Sequence, residues 1–200
     1  CGIRGLNGSA AMPYAAGWST NLPTQNLSNA YAAGDKRKAA TILDIEAYKT
    51  ANPSYNITYQ VAPYKNTGLY SQKYHPRKGE TSGQLELNYL NNYRIIRYSD
   101  VLLMAAEAWN KSTTPNDTKA QGYLNQVRRR AFGDNAHDIS ATGNALYLAV
   151  LDERRLELAM EGDRFFDLVR TGQAAAKITG FTAGKHEVFP IPQDEITISG

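Results

Sequence analysis

Residues 93–109 read YRIIRYSDVLLMAAEAW, and the spacing within this stretch decides the fold. Ile95, Ile96, Val101, Leu102, Ala105, Ala106 and Trp109 recur at steps of three and four, the period of a helix with one apolar side. Pro115, in a Ser-Thr-Thr-Pro-Asn-Asp loop, ends that helix. A second helix, with Ala120, Tyr123, Leu124 and Val127 on its apolar side, is predicted to run to about Ala131. So short a connection leaves the two helices antiparallel.

Further along, a turn over 132–143 precedes a third helix predicted from about Asn144 to Glu161 and closed by Gly162. Asp163 is placed to cap a fourth, short helix bearing Phe165, Phe166, Leu168 and Val169 and ending at Gly172. The tail from Lys185 to Ile198 alternates like a strand through Val188 and Phe189, then turns at Pro190 and Pro192. Two helix pairs at roughly tetratricopeptide spacing predict a stack in which each pair buries its apolar side against its neighbours. Such arrays need about three units, so the stack is expected to continue on a missing side or to be covered by the other half of the chain.

That other half differs in kind. Residues 1–93 hold ten of the thirteen tyrosines but only thirteen of the thirty-four Ile, Leu and Val residues, with frequent Gly, Asn, Ser and Thr. This composition predicts a loop-rich region over 1–93 beside a helical scaffold over 94–200. Within it, Thr24 can cap a helix over Gln25–Ala33 that ends before Gly34, and strands are predicted at Ala40–Ile45 and Leu85–Tyr89. The fold class is mostly α, with tetratricopeptide-like pairs forming an α/α superhelix, a large irregular region and a few short strands.

The whole chain has 200 residues, 20% charged and 42% hydrophobic, with a net charge of +3. Its mean hydropathy of −0.49 is that of a soluble globule, neither disordered nor a membrane span. The basic pI near 8.9 raises nucleic-acid binding. The basic runs, Lys36-Arg37-Lys38 and Arg128-Arg129-Arg130, are only three residues long and read as solvated faces, so nucleic acid is not expected. Cys1 is the single cysteine, which excludes an intrachain disulfide. Its position resembles the lipidated start of a bacterial lipoprotein.

Catalytic motifs are scarce. His75, His137 and His186 lie more than forty residues apart, so no metal cage is written locally. Asp134, Asn135 and Asp138 miss the EF-hand spacing and read as turn residues. There is no Gly-x-Ser-x-Gly elbow, Walker loop or Gly-x-Gly-x-x-Gly fingerprint. No cofactor is expected. A glycoside hydrolase needs two carboxylates, and Asp44 and Glu46 would share one face of a strand, but the spacing is common on solvated strands. The charged run from Asp152 to Arg170 places Glu153, Glu157 and Glu161 on one helix face, where alternating signs can pair along and between helices. No histidine stands at the spacing of a carboxylate diiron site.

The aromatic supply of the first half is the chemically pointed feature. Pyranose rings offer apolar C–H faces that stack on Trp and Tyr, with hydroxyls meeting amide or charged groups at the rim. Trp18 heads the candidates, followed by Tyr70 and Tyr74, then Tyr14 and Tyr64, with Asn21, Gln72, Lys73 and Arg77 as hydrogen-bonding rim. The same tyrosines can instead replace aliphatic core in a loop-rich region.

Taken in order, the segments resemble the later half of the SusD/RagB family. Gly17-Trp18 with Asn21-Leu22-Pro23-Thr24, then Gly34-Asp35-Lys36-Arg37 with Ala40-Thr41-Ile42, then Gly68-Leu69-Tyr70 with Lys73-Tyr74, are similar to successive family elements. The helix Arg94–Ala108, Leu124–Ala131, Glu153–Arg170 and Pro190–Ile196 follow in the family's order. The resemblance implies a non-catalytic surface lipoprotein of the bacterial outer membrane. Such a protein captures oligosaccharide or another nutrient for a SusC-like TonB-dependent transporter. It also implies that an amino-terminal portion carrying the lipid anchor is missing, so that Cys1 is an accidental start. Arg97, Glu107, Arg128, Glu153, Arg154 and Glu157 then belong to the packing scaffold. A peptide- or protein-binding helical module and, more remotely, a glycoside hydrolase remain as alternatives.

Overall fold

The central helix forms as α4, Tyr98–Lys111. In this computed structural model, which describes residues 2–62, 67–80 and 89–199, it starts three residues later than its apolar pattern. Arg97 is the reason: its backbone stays extended while its guanidinium turns to Glu157 and Glu161, leaving Ile95 and Ile96 outside the helix and exposed. The chain divides into two compact units, Cys1–Glu161 and Gly162–Gly200.

In the first unit α5, Asp117–Phe132, follows the Pro115 loop, and Asn116 caps it by accepting from Lys119 N at 3.0 Å. Gly133 ends it with φ of +92°, a conformation that an L side chain resists. Asn110 donates to Asp117 and to the carbonyl of Gly143, and Asp117 accepts from Gly143 N. These bonds join the end of α4 to the starts of α5 and of α6, Gly143–Glu157. The turn between α5 and α6 returns along α5, with Asn125 bonding both backbone groups of Ile139 and Arg129 pairing with Asp138. Asp134 accepts from Ala136 N, so these acids serve the turn. Leu103, Ala106, Ala120, Leu124, Leu146 and Val150 form the core of the three helices.

The predicted third helix extends to Glu161, whereas α6 stops at Glu157. Beyond it the chain turns through Met160 with φ of +69°, and the turn keeps Glu161 buried. The tail expected as a strand contains α9, Gln193–Ser199, instead. Val188 and Phe189 are exposed, and Asp194 and Glu195 occupy the first turn of α9, where the helix dipole favours acids. The second unit also holds α7, Arg164–Arg170, and α8, Ala174–Lys177, with Phe165 packed edge-on against Phe166. Asp163 makes no side-chain capping bond to α7.

Of the loop-rich half, α1 is Gln25–Ala30, capped by Thr24 as predicted but three residues shorter. The strand expected over 40–45 narrows to β1, Ile42–Asp44, between α2, Arg37–Thr41, and α3, Ile45–Ala51. Asp44 caps α3 through Glu46 N and Ala47 N, so Asp44 and Glu46 do not share a pleat face. The partner of β1 is β2, Leu69–Ser71, antiparallel with Leu43 opposite Tyr70. Most of the other predicted strand, Leu85–Tyr89, lies outside the described residues. A second core gathers Ile3, Met12, Tyr14, Leu43, Ile45 and Tyr70. A small cluster of Tyr31, Ile42 and Leu69, with Leu156 of α6 against it, links the loops to the helices.

An ionic hub joins the same regions. Arg37 is buried, not solvated as its basic run suggests, and pairs with Asp35, Glu153 and Glu157. Glu153 also accepts from Arg128, Glu157 from Arg97 and Arg130, and Glu161 from Arg97 and Lys73. Arg154 reaches Asp100 of α4 at 2.7 Å. The pairs therefore run between elements more than along a helix. Burial alone would raise the Glu157 carboxyl, but hydrogen bonds and charges from Arg130 and Arg97 outweigh it and hold the group at about 2.

Candidate functional site

The backbone of residues 2–19 is laced to two neighbouring segments. Ile3 bridges Ala16, Asn7 bridges Thr58 and Tyr14 bridges Arg77. Gly17 N donates to Ile3 O at 2.8 Å, Ser19 N to Gly2 O at 2.9 Å and Ala15 N to Pro76 O at 2.8 Å. Gly2 is required where these strands meet: at φ of +93°, a Cβ there would lie 2.7 Å from Pro76 Cδ. Trp18 is thus carried between two anchored residues.

Trp18 stays 44% exposed. The guanidinium of Arg4 sits 4.7 Å from its ring centroid, a cation–π contact that fixes the indole plane, and Arg4 N donates to Ser19 Oγ at 2.9 Å. Ser19 and Asn21 both take left-handed backbone conformations, with φ of 51° and 54°. Non-glycine residues held there concentrate at functional loops. Asn21 is exposed three residues beyond the indole. An aromatic plate beside a guanidinium and an exposed amide can stack on a sugar ring and bond its hydroxyls.

Other expected contacts are corrected by burial. Tyr70 is 0% exposed and its ring is part of the core opposite Leu43, so it offers no face to a ligand. Tyr14 is also buried: it lies 4.7 Å from His75 and 5.2 Å from Tyr48, its hydroxyl accepts from Gln72, and Arg77 covers its ring at 5.7 Å. Gln72 and Arg77 therefore brace Tyr14. Lys73 donates to Glu157 O at 2.8 Å and pairs with Glu161, so it belongs to the ionic hub; burial pushes its ammonium down against the pull of Glu161. Tyr64 lies outside the described residues.

Tyr74 is half-buried and stacks on Tyr93, with centroids 5.8 Å apart and planes at 27°. Tyr93 is 63% exposed and donates its hydroxyl to Glu161 O. Beside this pair a cleft of about 410 Å³ opens onto the ionic hub. Tyr93 was visible only as one tyrosine among ten; its position just before the out-of-register start of α4 is the signal that sets it apart. Arg4 carried no signal in the sequence.

His75, packed against Tyr14, is buried, and that burial holds its imidazole neutral, with a pKa lowered to about 4. A depressed folded-state value gives stability that is complete above the unfolded value of about 6.5 and is lost as pH falls towards 4. We expect unfolding free energy to fall by about 3 kcal/mol over this window at 1.36 kcal/mol per pKa unit. Denaturant titrations from pH 7 to pH 4 check this, and a His75→Phe variant should lose that part of the slope.

No group of three or more metal-ligating side chains occurs among the described residues, and no helix there is long and apolar enough to cross a membrane. The mostly helical architecture, its short two-stranded sheet and the irregular half bearing the aromatic residues are those of a SusD-type protein. The chain belongs to the SusD family, whose model matches residues 4–190. Among its relatives, SusD-like protein P2 of Formosa agariphila is 28% identical, over 97% of this chain and 41% of that protein. A solved laminarin binding SusD-like protein is 37% identical with a TM-score of 0.77, covering 98% of this chain and 40% of the other. Surface glycan-binding protein A from Bacteroides thetaiotaomicron, solved in complex with laminarihexaose, is 29% identical with a TM-score of 0.78, covering 99% and 44%. The chain thus spans about two fifths of the length of these relatives.

Proposed function

We propose that this protein binds glycan without cleaving it, as the capturing component of a SusD-type uptake system. It is held at the outer-membrane surface by a lipid anchor and delivers oligosaccharide to a SusC-like TonB-dependent transporter. The observation that carries the reading is Trp18, half-exposed on a loop tied down on both sides and oriented by Arg4. Asn21 supplies a rim amide, and Tyr74 with Tyr93 forms a second aromatic surface. Two solved relatives named for laminarin and laminarihexaose support a β-glucan as the first ligand to test.

Non-catalytic binding is supported by the way the Asp44 and Glu46 carboxylates, the pair with hydrolase-like spacing in the sequence, are used. Asp44 is occupied as the α3 cap, and Glu46 accepts from Tyr59. Calorimetry with laminarihexaose, together with starch-type and mucin-type oligosaccharides and analysis for released product, tests the reading. Heat without cleavage is expected. Silence with every saccharide would favour a peptide-binding module, and product release would make the protein a hydrolase.

A further inference from the structure

We propose that the cleft beside the Tyr74–Tyr93 stack is an anion-selective saccharide subsite, separate from the Trp18 platform, that receives the carboxylate or sulfate of an acidic sugar. This inference rests on the glycan-binding reading and adds a charge class to it. Lys36, Arg37, Lys73, Arg94, Arg97 and Arg130 all line the cleft. Only two lining residues, Glu157 and Glu161, are acidic, and both are engaged by Arg37, Arg97, Arg130 and Lys73. Counting the next layer, Asp35, Glu153 and Arg128, gives seven cations against four carboxylates.

The surplus is placed at the opening. Among the described residues no carboxylate pairs with Lys36 or Arg94, and both are exposed. Lys36 is seated where Gly133 leaves room for it: a Cβ on Gly133 would come within 2.5 Å of Nζ. Ala40 and Ala131 keep the walls low, and Arg130 remains more than half exposed despite its bond to Glu157. An anion entering here meets cations whose internal partners are already satisfied, and low-dielectric walls strengthen that field. The volume, about 410 Å³, suits a small ligand. What selects a sugar over another anion is the ring of Tyr74, which lines the cleft and stacks on the exposed Tyr93, the residue directly before Arg94.

The test compares trigalacturonate and a sulfated trisaccharide with a neutral trisaccharide, inorganic phosphate and hexaglutamate, each titrated into the protein at 50 and 500 mM NaCl. Acidic trisaccharides should bind more tightly than the neutral one and weaken with salt. A Lys36→Gln/Arg94→Gln double variant should lose about ten-fold in that affinity, as two partly exposed ion pairs would supply, at an unchanged melting temperature. Lys38→Gln, which removes the same charge from an exposed position outside the cleft, should have no effect. Laminarihexaose affinity should be the same in all variants.

Equal binding of neutral and acidic trisaccharides, or an equal loss in Lys38→Gln, would overturn the subsite while leaving the glycan-binding reading intact. So would capture of phosphate or hexaglutamate with no response to acidic sugars. If laminarihexaose and every other saccharide are silent, both inferences fall. The salt and ligand comparisons on the unaltered protein decide the matter even if a variant fails to fold.

Discussion

Glu157→Ala is expected to lower the unfolding free energy by about 3 kcal/mol, the low end of what breaking a buried ion pair costs. The carboxylate is buried and accepts from Arg37, Arg97 and Arg130, which come from α2, the start of α4 and α5. Removing it leaves Arg37 with Asp35 and Glu153, and Arg97 with Glu161, so the loss is large without stripping any of these two guanidinia bare. Glu157→Gln, which keeps the volume and one acceptor, should fall between the variant and the parent. The acid limb gives a second reading. With its carboxyl lowered to about 2, Glu157 contributes stability that is complete above its unfolded value and disappears as pH falls towards 2. The alanine variant should lack that part of the decline. An unchanged denaturation midpoint, or glycan affinity lost at an unchanged melting temperature, would show that Glu157 is not a scaffold residue.

Trp18→Ala is expected to weaken glucan binding about thirty-fold, roughly 2 kcal/mol, the scale at which a single buried aromatic contact dominates an interface. Stability should change little, because the indole is half-exposed and lies outside the core clusters. Arg4→Gln should give a smaller loss of affinity, because the guanidinium holds the ring plane. Titration with laminarihexaose, read beside thermal unfolding of each variant, checks both. Full affinity in Trp18→Ala would move the glycan site elsewhere.

The helical half was legible because its signals are local. The step of three and four in α4, the Asn and Pro before α5 and the glycine after it lie within a few residues of what they control. Errors arose where distant groups intervened. Arg97 leaves the helix register to meet carboxylates some sixty residues away, and Arg37 is buried by acids from α6, which no inspection of a Lys-Arg-Lys run could reveal. Strand β2 was missed because its burial depends on β1, not on its own alternation. The aromatic candidates divided for the same reason. Trp18 and Tyr70 look alike as sequence, yet pairing places one on a loop and the other opposite Leu43.

The bond from Arg37 to Glu153 spans 116 residues of chain. The α6 acids that complete the pairing of Arg37 thus lie more than a hundred residues further along the chain than the guanidinium and its local partner Asp35. Until those acids are in place the loops before α4 lack this contact, whereas α4, α5 and α6 pack around a core of their own. The irregular region is thus fastened by a helix that follows it in the chain, so its closing contact cannot form before that helix is made.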